Sequence, residues 1–235
     1  MITRLKQLRS RWIYFNPKMR AFLGALRILL GLFIYSFGVY LTIYANIGLA
    51  PWDCLGMGIS CHAPLNYGSA MVLIGVFAIM IQILLKERIG TATVLDAMIT
   101  GNLVQFLTDI SPYPENHSQW LGIVFMLFGF LFIALGMYVY MSAEMGCGPK
   151  DGLLIAIGKW MPKIPIGIVE VLLWSVVTLF GWLLGGSVGI GTLLSTFGAG
   201  AVMHLFYSAI HFEPRKLQHK SLTETMKFLS GKQPF

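Results

Sequence analysis

Long apolar stretches alternate with short polar ones along most of the chain. A helix needs about 20 predominantly apolar residues to cross a bilayer. The pattern predicts six such helices, at about residues 21–45, 67–86, 90–109, 119–141, 165–185 and 188–211. Two shorter stretches, 50–62 and 149–161, reach only about three helical turns each, which suits half-helices that enter the protein without crossing it.

One signature occurs twice, 98 residues apart. The first copy, GVYLTIYANIGLAPWD, covers residues 38–53, and the second, GMYVYMSAEMGCGPKD, covers residues 136–151. After one inserted residue the register resumes at an offset of 99. Eleven positions of the first copy, each with its identical counterpart in the second, are Gly38, Tyr40, Ala45, Gly48, Pro51, Asp53, Leu55, Gly68, Gly90, Thr93 and Gly101, matched by Gly136, Tyr138, Ala143, Gly146, Pro149, Asp151, Leu153, Gly167, Gly189, Thr192 and Gly200. A duplicated membrane unit of this kind is typical of transporters.

The basic residues decide between six spans and eight. With the N-terminus in the cytoplasm, six spans place Lys86, Arg88, Lys159 and Lys163 on the cytoplasmic face. If the two short stretches also crossed, Lys86 and Arg88 would lie outside, against the positive-inside rule. Each repeat then contributes three spans, an odd number, so the second copy is inverted. The predicted fold class is an all-α integral membrane protein of six transmembrane helices plus two short re-entrant half-helices, as two inverted three-span repeats.

Composition agrees with a membrane protein. Charged residues make up 11% of the chain and hydrophobic ones 56%, which leaves too little polar surface for a soluble globule. The net charge of +7 comes mainly from the two ends, so we expect the basic residues to anchor anionic headgroups of the lipid bilayer and not to bind nucleic acid. The predicted divisions are a basic cytoplasmic segment, 1–20, two membrane repeats, 21–110 and 119–211, and a basic cytoplasmic tail, 212–235.

The repeated Pro-x-Asp motif supplies the first candidate site. Pro51 and Pro149 occupy positions where a helix can begin, and the glycines before them, Gly48 and Gly146, allow a sharp turn. Asp53 and Asp151 then lie in the first turn of each half-helix. Two interpretations remain open, since these carboxylates can cap the helix or can bind a proton, a cation or the amino group of a solute.

Two more acidic residues lie within predicted spans. Asp96 and Glu170 face an internal cavity in one interpretation, and snorkel or bond a neighbouring helix in the other. Because Lys150 adjoins Asp151 and no basic residue adjoins Asp53, Asp53 is predicted to be the proton carrier.

Small residues predict where helices approach closely. Gly101 and Gly200 occupy matching positions in the two repeats, and both are expected to lie on the seam between the moving halves.

We find no nucleotide loop, metal-ligand spacing or nucleophile motif. We therefore expect no metal, no cofactor and no enzymatic activity.

The paired signatures GLAPWDCL and GCGPKDGL, each followed by a spaced Gly-Thr and a later Gly, resemble those of the bacterial YczE/YyaS/YitT group of multi-pass membrane proteins. The resemblance covers roughly residues 22–211. It implies a location in the bacterial cytoplasmic membrane, and it implies little chemistry. Because 24 basic and polar residues follow the last span in place of a soluble domain, the YczE-like branch is expected.

Taken as a whole, the sequence predicts a secondary transporter for a small polar solute or ion, with Asp53, Asp151, Asp96 and Glu170 as binding candidates. One alternative is a scaffold or accessory protein that supports another membrane enzyme or an export system. A second is a membrane-embedded enzyme acting on lipid, which would require an acid/base or nucleophile set that the sequence does not display. The oligomeric state stays open, with a homo-oligomer among the options.

Overall fold

The computed structural model describes residues 17–111 and 118–212, and within these ranges the chain forms helices and no β-strand. Most of the predicted N-terminal segment, 1–20, and nearly all of the predicted tail, 212–235, lie outside the described residues. The helices are α1 (Pro17–Tyr44), α2 (Pro51–His62), α3 (Tyr67–Leu84), α4 (Thr91–Ile110), α5 (Gln119–Met141), α6 (Pro149–Trp160), α7 (Ile166–Leu183), α8 (Ile190–Leu193) and α9 (Ala199–Ala209), with a π-helical segment (Leu194–Gly198) between α8 and α9.

Five helices in the described ranges are long and apolar enough to cross a membrane: the Phe22–Tyr44 part of α1, α3, α5, α7 and the continuous rod Ile190–Ala209. Helix α4 has a similar length, 20 residues, but it carries several polar side chains and is not one of the five. Large apolar side chains such as Phe22, Leu84 and Leu205 are exposed on the outer surface, which suits lipid better than water. The chain is therefore a multi-pass helical membrane protein, and α4 stays a predicted sixth span.

The two half-helices have the bounds that the Pro-x-Asp motif predicts. Helices α2 and α6 have 12 residues each and begin at Pro51 and Pro149. Twelve residues rise about 18 Å, which is short of the roughly 30 Å of a bilayer core. Neither helix is long enough to cross.

Helices α1 and α5 pack together over most of their length, because two glycines on each helix let the backbones approach. A Cβ at Gly31 would lie 2.5 Å from the Tyr140 nitrogen, and one at Gly136 would lie 2.5 Å from the Tyr35 nitrogen. Further along, Gly38 meets the other glycine of α5, Gly129. Residues later in α1 contact residues earlier in α5, so the two helices are antiparallel.

The loop before each half-helix bonds to the other repeat. The Ala92 amide donates to the Met145 carbonyl over 3.0 Å, and its counterpart, the Gly191 amide, donates to the Ile47 carbonyl over 2.8 Å. Gly48 and Gly146 hold positive φ angles of 112° and 123° at matching positions of the two loops. Since other residues rarely adopt such angles, these glycines fix the turns into α2 and α6.

Each half-helix also packs against the spanning helix of the opposite repeat, α2 against α7 and α6 against α3. Cys54 of α2 lies against Gly181 of α7. At the equivalent contact the small and the large residue are exchanged between the helices. Here the half-helix α6 carries the glycine, Gly152, which makes room for the buried side chain of Gln82 on α3. The Gln82 side-chain amide donates to the Pro149 carbonyl over 2.9 Å, which ties α3 to the start of α6.

The prediction of close contacts between the halves at Gly101 and Gly200 needs correction. Gly101 is tightly packed, with its Cβ position 2.5 Å from the Met71 Cβ, but this contact joins α4 to α3 within the first repeat. A Cβ at Gly200 would meet no atom within 4 Å in the described part of the chain. The π-helical segment ends at Gly198, two residues before Gly200, and has no counterpart in α4, which is a regular helix.

Candidate functional site

Asp53 lies in the first turn of α2, buried, with 4% of its surface exposed. Its Oδ1 accepts a hydrogen bond from the Tyr67 hydroxyl over 2.9 Å. Tyr67 is the first residue of α3, so the bond ties the start of one helix to the start of the next. Within the described ranges, the Asp53 carboxylate therefore bonds a side chain of α3, in addition to any stabilisation that it gives to the N-terminus of α2.

Asp151 lies at the matching position of α6, and a second carboxylate lies beside it. The Oδ2 atoms of Asp96 and Asp151 lie 2.6 and 3.1 Å from the Cβ position of Gly148, and the Tyr140 hydroxyl lies 3.5 Å from it. The Tyr140 hydroxyl also donates a hydrogen bond to Asp151. Asp96 in turn accepts a hydrogen bond from the Thr100 hydroxyl, one turn along α4. We call Asp96, Asp151 and Tyr140 the acidic cluster.

The start of α2 has no equivalent of the acidic cluster, although α2 and α6 occupy matching positions of the two repeats. Asp96 corresponds to Ser195, and Gly148 corresponds to Ala50. Ser195 is buried and its hydroxyl donates to the Gly191 carbonyl of its own helix over 2.9 Å. Ala50 carries a methyl group, whereas at Gly148 the carboxylates of Asp96 and Asp151 approach the place where a methyl group would lie. The site at the start of α6 thus differs from the one at the start of α2 in two ways. It has an additional carboxylate, that of Asp96, and it has glycine, Gly148, where the other has alanine.

Lys150 supplies positive charge near these carboxylates. It interacts electrostatically with Asp53, Asp96 and Asp151. One ammonium group cannot balance three carboxylates, so excess negative charge remains if all of them ionise. Buried charge of this kind is costly in a membrane, so a proton or a cation would stabilise the site.

Two further tyrosines, Tyr35 and Tyr207, lie near the acidic cluster. Tyr35 packs edge-on against Tyr140, with ring centroids 6.2 Å apart, and interacts electrostatically with Asp53, Asp96 and Asp151. The Tyr207 hydroxyl is buried near Asp151 and has no hydrogen-bond partner in the described part of the chain. Such hydroxyls can both donate and accept, which suits a polar ligand.

Glu170 lies apart from the acidic cluster. It is partly buried on α7 and acts on Asp151 electrostatically, with no hydrogen bond to it. Of the four acidic candidates, the structure therefore brings Asp96 and Asp151 together, places Asp53 beside Tyr67, and leaves Glu170 at the edge.

Sequence reasoning missed Tyr67, Tyr140 and Gly148. The tyrosines lie among many aromatic residues and carry no distinguishing pattern. The exchange of Ala50 for Gly148 was available from the repeat alignment, together with that of Ser195 for Asp96. Two coupled size changes at matching positions could have identified this half-site.

The chain matches a family described as a family of unknown function, DUF6198, over residues 23–208. It belongs to this family. Similar proteins include an uncharacterised protein of Haemophilus influenzae, 30% identical over 183 residues that cover 78% of this chain and 83% of the relative. The uncharacterised membrane protein YczE of Bacillus subtilis is 30% identical over 181 residues, 74% of this chain and 80% of YczE.

A third relative, the uncharacterised protein YyaS of Bacillus subtilis, is 26% identical over 190 residues, 78% of this chain and 92% of YyaS. These matches confirm the resemblance to the YczE/YyaS group. No solved structure matches the chain.

Proposed function

We propose that this protein is a secondary transporter for a small polar solute or ion in a bacterial cytoplasmic membrane. The acidic cluster at the start of α6 carries the proposal. Two carboxylate oxygens lie 2.6 and 3.1 Å from the same Cβ position, so their repulsion is relieved when a proton or a cation binds. Carboxylates at membrane depth are costly and usually mark an ion or substrate pathway.

The reciprocal contacts support an arrangement of two inverted three-span repeats. Helices α1 and α5 are equivalent in sequence and antiparallel in space, as inverted copies would be. The bonds Ala92–Met145 and Gly191–Ile47 join equivalent atoms in opposite directions between the halves. In transporters built this way, half-helices meet near the midplane and the two halves move against each other.

One ion pair supports the six-span topology. The Lys159 ammonium group lies 2.7 Å from the Glu87 carboxylate, so the ends of α6 and α3 lie on the same side. Between them the chain passes through α4, α5 and α6. An even number of crossings is needed, and α6 is too short to cross, which leaves α4 and α5 as the two spans. With the basic segments inside, both termini are then cytoplasmic.

The geometry favours Asp151 over Asp53 as the proton carrier. The sequence pointed to Asp53, because Lys150 adjoins Asp151. In the fold Lys150 interacts with Asp53 as well, and Asp151 has Asp96 as an additional acidic neighbour. The pair Asp96–Asp151 is the better place to hold one shared proton.

The proposal requires no enzymatic step, cofactor or nucleic acid. The partners are the lipid bilayer and the transported solute or ion.

Reconstitution tests the proposal. The purified protein is placed in liposomes that contain a pH-sensitive dye, and amino acids, organic anions and organic cations are added outside in turn. We expect at least one class to change the internal pH or to raise the melting temperature of the protein. Asp96→Asn and Asp151→Asn should abolish the response.

Asp109→Asn is the matched control, because Asp109 is an exposed carboxylate on the same helix as Asp96. It should keep the response. If no compound moves protons or shifts the melting temperature, and Asp96→Asn and Asp151→Asn stay folded, the transporter proposal fails and the scaffold alternative gains support.

A further inference from the structure

Equivalent helices pack differently in the two repeats. In the first repeat α3 and α4 are in close contact, since the Gly101 Cβ position lies 2.5 Å from the Met71 Cβ and 3.0 Å from the Gly68 carbonyl oxygen. The equivalents of Gly68 and Gly101 are Gly167 on α7 and Gly200 on α9. A Cβ on either one would meet nothing within 4 Å in the described part of the chain.

Burial shows the same difference. Of the most apolar 18 residues of each helix, 44% are buried inside the protein in α3, compared with 17% in α7 and 22% in the rod Ile190–Ala209. Helices α3 and α4 form an extended interface, whereas α7 and α9 do not. The first repeat is closed at this position and the second is open.

The π-helical segment contributes to the difference. Leu194–Gly198 corresponds to residues 95–99, which lie inside the regular helix α4. A π turn holds about one residue more than an α turn, which rotates the helix that follows by about 100°. The face of α9 that carries Gly200 is therefore turned relative to the face of α4 that carries Gly101.

The separated helices α7 and α9 each carry a polar side chain that acts on Asp151. Glu170 lies three residues after Gly167, and Tyr207 lies seven residues after Gly200, so each shares a helix face with its glycine. Both side chains interact electrostatically with Asp151. The faces of α7 and α9 that carry Gly167 and Gly200 therefore also carry groups that act on Asp151.

We infer that the structure is one of two exchanging states, in which the passage between α7 and α9 is open to Asp151 and the passage between α3 and α4 is closed. In the opposite state Gly167 packs against Gly200, and Gly68 separates from Gly101. The inference rests on the proposed inverted-repeat transporter. In the proposed topology α7 begins on the cytoplasmic side, so this is the inward-open state.

Glu170 controls the balance between the two states. Its counterpart in the first repeat is Met71, the side chain that covers Gly101. Closure would carry Glu170 over Gly200 in the same way. Burying an ionised carboxylate without a partner is costly, so Glu170 holds the inner passage open until it is neutralised.

Disulfide trapping in native membranes tests this inference. The full chain carries Cys54→Ala, Cys61→Ser and Cys147→Ala, with Gly167→Cys and Gly200→Cys added at positions that have room for a side chain. An oxidant should form an intramolecular disulfide, which requires Cα atoms within about 7 Å and hence the closed state. The matched control pairs Gly167→Cys with Ala201→Cys, one residue further round α9, and should react more slowly.

Substitutions at Glu170 sharpen the test. Glu170→Met copies Met71 and should raise the rate of disulfide formation several-fold, while Glu170→Gln, which removes only the charge, should give a smaller rise. Gly101→Val provides an independent route, because its side chain cannot fit against Met71 and should open the first repeat. It too should accelerate trapping.

Two results would overturn the inference. One is trapping of the Gly167→Cys/Gly200→Cys pair no faster than the control in all these backgrounds. The other is a disulfide-linked dimer through Gly200→Cys, which would mean that a second copy covers the α9 face. If the solute-dependent proton signal persists in liposomes in either case, the transporter proposal stands and only the gate is wrong.

Discussion

The Asp96 carboxylate reaches over Gly148 to a point 2.6 Å from where a side chain would begin. Gly148 has φ −59° and ψ 156°, a conformation open to any residue, so glycine is required here for space and not for its backbone angles. The counterparts of Gly148 and Asp96 in the repeat are Ala50 and the smaller Ser195. The two positions therefore form a coupled pair.

Gly148→Ala should destabilise the protein by about 1–3 kcal/mol, because the added methyl group collides with Asp96 and Asp151. The double variant Gly148→Ala/Asp96→Ser, which copies Ala50 and Ser195, should recover most of the melting temperature but not the proton signal. Gly200→Ala, at an open position, serves as control and should be neutral or slightly stabilising. Simple additivity of the two single changes would contradict the coupling.

Tyr67→Phe should lower the unfolding free energy by about 1.5–3 kcal/mol, because the Asp53 carboxylate loses a charge-assisted hydrogen bond inside the protein. Tyr40→Phe is the comparison, since the Tyr40 hydroxyl donates to the neutral Ser111 carbonyl over 2.9 Å. That change should cost about 1 kcal/mol. Melting temperatures in detergent measure both, and equal losses would mean that Asp53 is not ionised in the fold.

Gly101→Leu and Gly200→Leu should have different effects. The first places a large side chain against Met71, so we expect a clear loss of melting temperature. The second adds a side chain where no atom lies within 4 Å, so the protein should fold and insert normally. It should nevertheless lose transport, because the added bulk blocks closure of α7 against α9. Retained transport in Gly200→Leu would argue against closure at this position.

The ion pair between Glu87 and Lys159 makes a topological prediction. Glu87→Cys and Lys159→Cys, each in a cysteine-free chain, should both react with a membrane-impermeant thiol reagent from the cytoplasmic side only. Labelling of the two positions from opposite sides would require α6 to cross and would remove the inverted arrangement.

The duplicated motif allowed the half-helices to be located from sequence, because proline and glycine restrict the backbone wherever they occur. The predicted stretches 50–62 and 149–161 became Pro51–His62 and Pro149–Trp160. The first turn of each half-helix, with Asp53 and Asp151, also followed from the motif. These are local properties of the chain.

The contacts between helices could not be predicted in the same way. Lipid-facing and protein-facing sides of a membrane helix are both apolar, so periodicity does not identify what Gly101 or Tyr140 will meet. Gly200 shows the limit most clearly. The repeat aligns it with Gly101, but the π-helical segment before it changes its direction, and no residue pattern in LSTFG indicates that change.

The hydrogen bonds Ala92–Met145 and Gly191–Ile47 also constrain biogenesis. The amide that opens α4 finds its acceptor only in a loop that is synthesised more than 50 residues later. Until that loop arrives, the amide lacks this acceptor, and an unpaired donor in a hydrocarbon environment costs about 2–7 kcal/mol. Half a chain should therefore be a poor folding unit and a substrate for membrane proteases, whereas two halves expressed as separate polypeptides should rescue each other.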